Sequence, residues 1–171
     1  MSWSQCFSHG NKMQEVFVEY MEDNYGYKFL AGDRNGKTQN IDYIEETLRC
    51  QYISPQREIN GPMVRMKCSD GIYRNFVMPD ELMISNNKHQ LFDVKNRKIG
   101  NLFEKYGVLD DYRMVGENSG IPVFISLIIW NNELEKYDVY IRNVRNILAE
   151  YTGNRNQNSK VEFDLSKFKK F

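Results

Sequence analysis

The chain has 171 residues, of which 41% are hydrophobic and 13% aromatic, enough apolar surface to bury one globular core. Its 23 Lys+Arg balance 23 Asp+Glu, which excludes the global positive field by which many proteins hold nucleic acid without sequence preference, so any anion-binding face must be local. The longest apolar stretch, residues 121–130, contains Pro122 and Ser126 and is too short for a membrane-spanning helix.

Met1-Ser2-Trp3-Ser4-Gln5 carries neither a basic region nor an apolar signal core, so a cytoplasmic address is the expectation. Cys6, Cys50 and Cys68 are odd in number and widely spaced, which fits a reducing compartment better than a disulfide framework. No repeat, low-complexity tract or linker divides the chain.

Residues 13–21 form an amphipathic run with Phe17, Tyr20 and Met21 on one stripe, and the run closes at Tyr25-Gly26-Tyr27, where Gly26 is a helix stop. Residues 27–30 read as a strand. The segment that follows, Ala31-Gly32-Asp33-Arg34-Asn35-Gly36-Lys37-Thr38, fits a loose P-loop pattern and would imply nucleotide binding. Against that, Asp33 sits inside a loop whose backbone N–H groups would have to face an anion, and Gln39 and Asn40 open a helix poorly. A hairpin turn at Asn35-Gly36 is preferred. Residues 33–61 are the least regular part, with a short helix over 41–50 between turn signals.

Residues 63–68 alternate Val64, Met66 and Cys68 against Arg65 and Lys67, and Asp70-Gly71 turns the chain into 72–78, a hairpin leading to Pro79-Asp80. Next come a strand over 81–85, a turn at Asn86-Asn87-Lys88-His89 and a returning strand over 91–95. On that strand Asp93 and Lys95 share one face while Phe92 and Val94 pack on the other. Two acids, Asp80 and Asp93, thus converge with a lysine. Two carboxylates suit Mg²⁺ or Mn²⁺, which lowers the pKa of a bound water and offsets charge on a phosphoryl transition state, while the lysine orients the nucleophile. Lys88, His89, Lys95, Arg97 and Lys98 make one basic cluster, and Arg155, Lys160, Lys167, Lys169 and Lys170 another.

Downstream, a helix over 108–119 ends at Gly120, a strand fills 121–130, and Asn131-Asn132-Glu133 turns into an edge strand over 137–141. A helix over 144–151 and a polar loop over 153–159 precede 161–165, which with Phe168 and Phe171 adds a strand or docks on the core. Cys6-Phe7-Ser8-His9 offers half a zinc site with no second pair. His9 and His89 are the only histidines, which leaves few places for a Ser-His or Cys-His nucleophile.

Pro79-Asp80, 12 residues, then Asp93-Val94-Lys95 resembles the signature of the PD-(D/E)xK nuclease superfamily. The resemblance spans about residues 10–145 and rests on four positions. It implies an α/β (α+β) fold with a restriction-endonuclease-like or Holliday-junction-resolvase-like core, a central mixed β-sheet flanked by helices in the order α-β-β-β-α-β. One nuclease-like domain would cover residues 1–171, with an insertion over 33–61 and a docking tail over 153–171. The implied metal ligands are Asp80, Asp93, the backbone carbonyl of Val94 and a first-helix acid, Glu15 in preference to Glu19. Lys95 would help activate water, and Arg97, Lys98 and Lys88 would hold phosphates. A Mg²⁺-dependent endonuclease acting on DNA follows, with Mn²⁺ able to substitute, RNA and exonuclease action both known on such a fold, and a homodimer from a phage or mobile element expected. The alternative is a catalytically inactive nuclease-fold protein that binds nucleic acid or protein.

Overall fold

A nine-residue strand whose alternate side chains are all apolar can be buried on both faces only if something covers each face, and the architecture follows from that requirement. The computed structural model describes residues 3–34, 36–55 and 61–171, with side chains from Lys12 onward. The central strand is β9 (Val123–Asn131), buried through Val123, Ile125, Leu127 and Ile129 on one face and through Ser126 and Ile128 on the other.

In chain order the elements are α1 (Trp3–Tyr25), β1 (Lys28–Arg34), β2 (Lys37–Gln39), α2 (Ile41–Leu48), β3 (Cys50–Ile53), β4 (Met63–Lys67), β5 (Tyr73–Val77), β6 (Glu81–Ser85) and β7 (Lys88–Asn96). They continue as β8 (Phe103–Lys105), α3 (Tyr106–Ser119), β9, β10 (Lys136–Asn143), α4 (Val144–Glu150), β11 (Lys160–Glu162), a 3₁₀ turn and β12 (Lys169–Lys170). The fold is mixed α/β. Seven strands build one mixed sheet in the order β12-β10-β9-β7-β6-β1-β2. Within it β1, β6 and β7 run antiparallel in turn, and α3 carries the chain over to β9, which pairs parallel to β7.

Helix α1 lies on one face, where Met13, Phe17, Val18 and Met21 pack on Met83, Phe92, Ile128, Val139 and Ile141. Helices α2, α3 and α4 lie on the other, with Ile44, Leu48, Leu109, Tyr112, Val115, Val144 and Ile147 against Leu82, Leu91, Ile125 and Leu127. Gly120 ends α3 at φ 74, donating its N–H to the carbonyl of Gly116, the role expected of it. Among the described residues no helix is long and apolar enough to cross a membrane.

Several expected boundaries move. The turn between β6 and β7 is tighter than Asn86-Asn87-Lys88-His89: Asn86 and Asn87 alone take positive φ, 52° and 62°, and Ser85 pairs with Lys88. The P-loop-like segment is a hairpin in which Gly32, Asp33 and Arg34 pair with Gln39, Thr38 and Lys37, so the lysine and threonine of that pattern lie in a strand. Asn35 at its tip lies outside the described residues, as do Asn60 and the side chains of Cys6 and His9.

The β4–β5 hairpin joins no strand of the main sheet. With β3 it makes a separate three-stranded sheet, because Val64, Met66 and Phe76 give it a single apolar face that packs in the same core cluster as α2 and α3. Between β2 and β6 the chain thus forms α2 and this second sheet. Strand β10, expected at the edge, is covered by β12, and the tail buries Val161, Phe163 and Phe168.

Candidate active site at the head of β6 and β7

Because β6 and β7 are antiparallel with Glu81 opposite Phe92, the residue before β6 falls opposite Asp93. That residue is Asp80. Its Oδ2 accepts the Val94 N–H at 2.8 Å, and its carbonyl accepts the Asp33 N–H at 2.9 Å, so it is anchored through both backbone and side chain. Gly32 makes this approach feasible. At φ +140, a Cβ there would stand 2.3 Å from the Asp80 carbonyl oxygen and 2.9 Å from Glu81 Oε2.

Asp93 is buried on the α3 face of β7. Its Oδ1 accepts the Tyr112 hydroxyl at 2.7 Å, and its Oδ2 pairs with Lys95 Nζ at 2.9 Å. Lys95 also pairs with Glu104 of β8, and the two side chains are only 11% and 13% exposed. Two carboxylates, an ammonium, a third carboxylate and a phenol therefore share one partly closed space.

Burial and the neighbouring Asp93 charge push the Asp80 carboxyl well above its ordinary range. Burial also works against ionisation of Asp93, but Lys95, then Tyr112 and the Asp80 carboxyl outweigh it and hold Asp93 below the usual value. Asp80 keeps the proton of the pair and Asp93 the charge. Lys95 stays charged despite burial because Asp93 and Glu104 face it. The Tyr112 hydroxyl, raised by burial and by the charge of Asp93, remains a donor.

A dication fits this donor set. The Asp80 and Asp93 carboxyls face each other with one charge between them, a dication would let both ionise, and Asp93 Oδ2 has its ion pair but no aligned hydrogen bond. Among the described residues no cluster of three or more His, Cys, Asp or Glu side chains is arranged around a common metal position, so the protein side would supply two carboxylates.

No protein-family model matches the chain, and no curated protein matches it in sequence.

Asp80, Asp93, Val94 and Lys95 thus meet, and Arg97 and Lys98 follow them at the same end of β7. Arg97 continues the ladder through its N–H to the Ile128 carbonyl, with its Nε buried and without a partner among the described residues, and Lys98 is exposed. Two of the expected residues do not join them. Lys88 sits at the far end of β7, five residues from Asp93 and so roughly 16 Å away at strand rise. Its neighbour His89 is taken up by a 2.8 Å hydrogen bond with Tyr43. Glu15 belongs to α1, which covers the opposite face of the sheet, and no hydrogen bond or ion pair among the described residues joins it to Asp80, Asp93 or Lys95. On the helical wheel it lies away from the Met13, Phe17 and Met21 stripe, as does exposed Glu19.

The acid beside the site is Glu104 instead. It arrives from a three-residue strand held by β11 of the tail, Glu104 pairing with Val161. Nothing periodic in Leu102-Phe103-Glu104-Lys105 marks such a short strand in sequence. Tyr112 shares the Leu109 and Val115 stripe of α3 and reads as core until its hydroxyl is seen on Asp93.

Proposed function

We propose that this chain is a Mg²⁺-dependent nuclease of the PD-(D/E)xK kind, hydrolysing phosphodiester bonds of DNA. The observation that carries the reading is the meeting of Asp80, Asp93 and Lys95 on one face of a two-strand pair. The succession α1, β1, β6, β7, α3, β9 supports it, since it reproduces the order α-β-β-β-α-β of a restriction-endonuclease-like core with the second sheet as an insertion.

Asp80, Asp93 and the Val94 carbonyl would hold the metal. Bound there, Mg²⁺ would supply a water of lowered pKa and offset charge on the phosphoryl oxygens. The chain's own groups do the rest. Lys95, kept charged by its two carboxylates, directs an attacking water toward phosphorus and adds positive potential. Tyr112 fixes the orientation of Asp93, and the Val94 N–H that of Asp80. Arg97 and Lys98, on the backbone running out of β7, would hold neighbouring phosphates. Cutting both strands of a duplex from a single site would take two copies, which is the ground for a homodimer.

One observation favours the second reading, a nuclease fold that binds nucleic acid or protein without cleaving. Five cavities of the described surface, at Tyr112 and Arg145, at Arg49 and Tyr73, at Phe124 and Lys169, at Ile147 and Val161, and at Gly100 and Phe163, are lined by residues other than Asp80, Asp93 and Lys95. Cleavage of plasmid and of single- and double-stranded DNA and RNA oligonucleotides in Mg²⁺ or Mn²⁺ separates the readings. The nuclease reading requires activity in the wild type that Asp93→Ala and Lys95→Ala each abolish. Binding without cleavage in all three points to the silent scaffold, and equal cleavage in all three to some other site.

A further inference from the structure

Lys95 is gripped by two carboxylates, Asp93 and Glu104. Asp93 has both oxygens engaged, Oδ1 by the Tyr112 hydroxyl and Oδ2 by Lys95. A cation drawing on Asp93 Oδ2 therefore competes with the Lys95 ammonium for that oxygen, like charge against like charge, whereas the neutral Tyr112 hydroxyl on Oδ1 does not oppose it. Tyr112 is fixed in the core, whereas Lys95 hangs on a flexible four-carbon stem. If Lys95 had no other partner, releasing it would leave an ammonium almost without solvent and without a counter-charge, a costly state. Glu104 removes that cost. It already touches Nζ, and β11 of the tail holds its strand in place.

Resting on the metal-dependent reading above, we propose that Glu104 is a positioning residue: it receives the Lys95 side chain when a divalent cation takes Asp93, so that Lys95 keeps a carboxylate partner in the metal-bound and metal-free sites alike. Glu104 acts through Lys95 and does not itself ligate the metal. The C-terminal strand β11 thereby becomes part of the site's machinery through the register that fixes Glu104.

Calorimetric titration with MgCl₂ alone, without nucleic acid, tests this in a double-mutant cycle. Glu104→Gln leaves Lys95 with Asp93 as its sole counter-charge and should weaken Mg²⁺ binding about tenfold, the scale of one charge-assisted hydrogen bond. Glu104→Asp, which keeps the charge, should recover most of that loss. In a Lys95→Met background Glu104→Gln should change affinity less than about twofold, since there is no ammonium to relocate. An equal loss in both backgrounds would mean that Glu104 binds the cation itself. Unchanged affinity with a lowered melting temperature would mean that it only braces the fold. Either outcome overturns the proposal.

A crystal of the wild type soaked in Mg²⁺ decides the point without any variant. Lys95 Nζ should lie on Glu104 and off Asp93 Oδ2, and a metal-bound site with Lys95 still on Asp93 sinks the idea. Failure of the wild type to bind Mg²⁺ at all removes the metal reading together with this one. Mg²⁺ binding with the expected coupling but no cleavage of any nucleic acid leaves this proposal standing and removes only the nuclease reaction.

Discussion

Glu81 is a fully buried carboxyl with neither oxygen hydrogen-bonded among the described residues, pressed between Gly32 on β1 and Phe92 on β7. Burial, reinforced by the neighbouring Asp80 carboxyl and only partly opposed by Arg34, pushes its pKa up to about 10. In the unfolded chain the group titrates near its ordinary value of 4.5. Between those limits the folded protein holds a proton that the unfolded chain has lost. Stability contributed by this site therefore falls as pH rises, by about 1.4 kcal/mol per pH unit. Glu81→Gln keeps the shape and removes the titration. Any constant offset from the added amide donor is the same at every pH, so the informative quantity is the slope. Urea unfolding of both proteins at pH 5, 6 and 7 should show the variant gaining on the wild type by about 2.5 kcal/mol across that range. Parallel curves, with a difference independent of pH, would show that the carboxyl is ionised and paired in the folded protein, and the reasoning about Glu81 would fail.

Gly32→Ala should be among the most damaging small substitutions, costing about 3 kcal/mol or more, because its methyl group meets the Asp80 carbonyl 2.3 Å away at a φ that alanine avoids; a variant that melts like the wild type contradicts this. Tyr112→Phe takes a 2.7 Å donor from an ionised acid and should destabilise by about 1.5–3 kcal/mol at pH 7, an effect expected to shrink in an Asp93→Asn background. Urea unfolding of the two pairs measures it, and an equal loss in both backgrounds would mean that only packing was disturbed. Because Asp80 holds its proton well above the usual carboxylate pH and a metal needs the ionised form, Mg²⁺ affinity should climb as pH rises above about 4, the ordinary carboxylate value. Calorimetry in buffers of different ionisation heat should detect the released proton near pH 5, and affinity that is flat from there to neutrality would contradict the assignment of that proton to Asp80.

The residues that the sequence places correctly are those whose position follows from local periodicity. Asp93 and Lys95 must share a face because they are two apart on a strand, and Asp80 falls opposite Asp93 because two asparagines close the hairpin at a fixed length. The seat of α1 was not legible in this way. Glu15 lies on an amphipathic helix either way, and only the packing of Met13 and Phe17 onto Phe92 and Ile128 decides that the helix covers the side of the sheet away from Asp93. The β4–β5 hairpin was equally legible as a hairpin and equally silent about which sheet it joins, since a ladder's hydrogen bonds carry no address.

By itself, then, the chain determined where the longer strands and helices lie, that two acids and a lysine meet, and that a turn within residues 86–89 brings them there. Tertiary structure decided which further groups surround them. Glu104 reaches Lys95 only because β11, more than fifty residues later, pairs with β8, and Tyr112 reaches Asp93 only because α3 crosses that face of the sheet. Contacts between residues far apart in the chain depend on which surfaces are buried together, and that balance of burial against desolvation is a property of the whole fold, not of any local pattern.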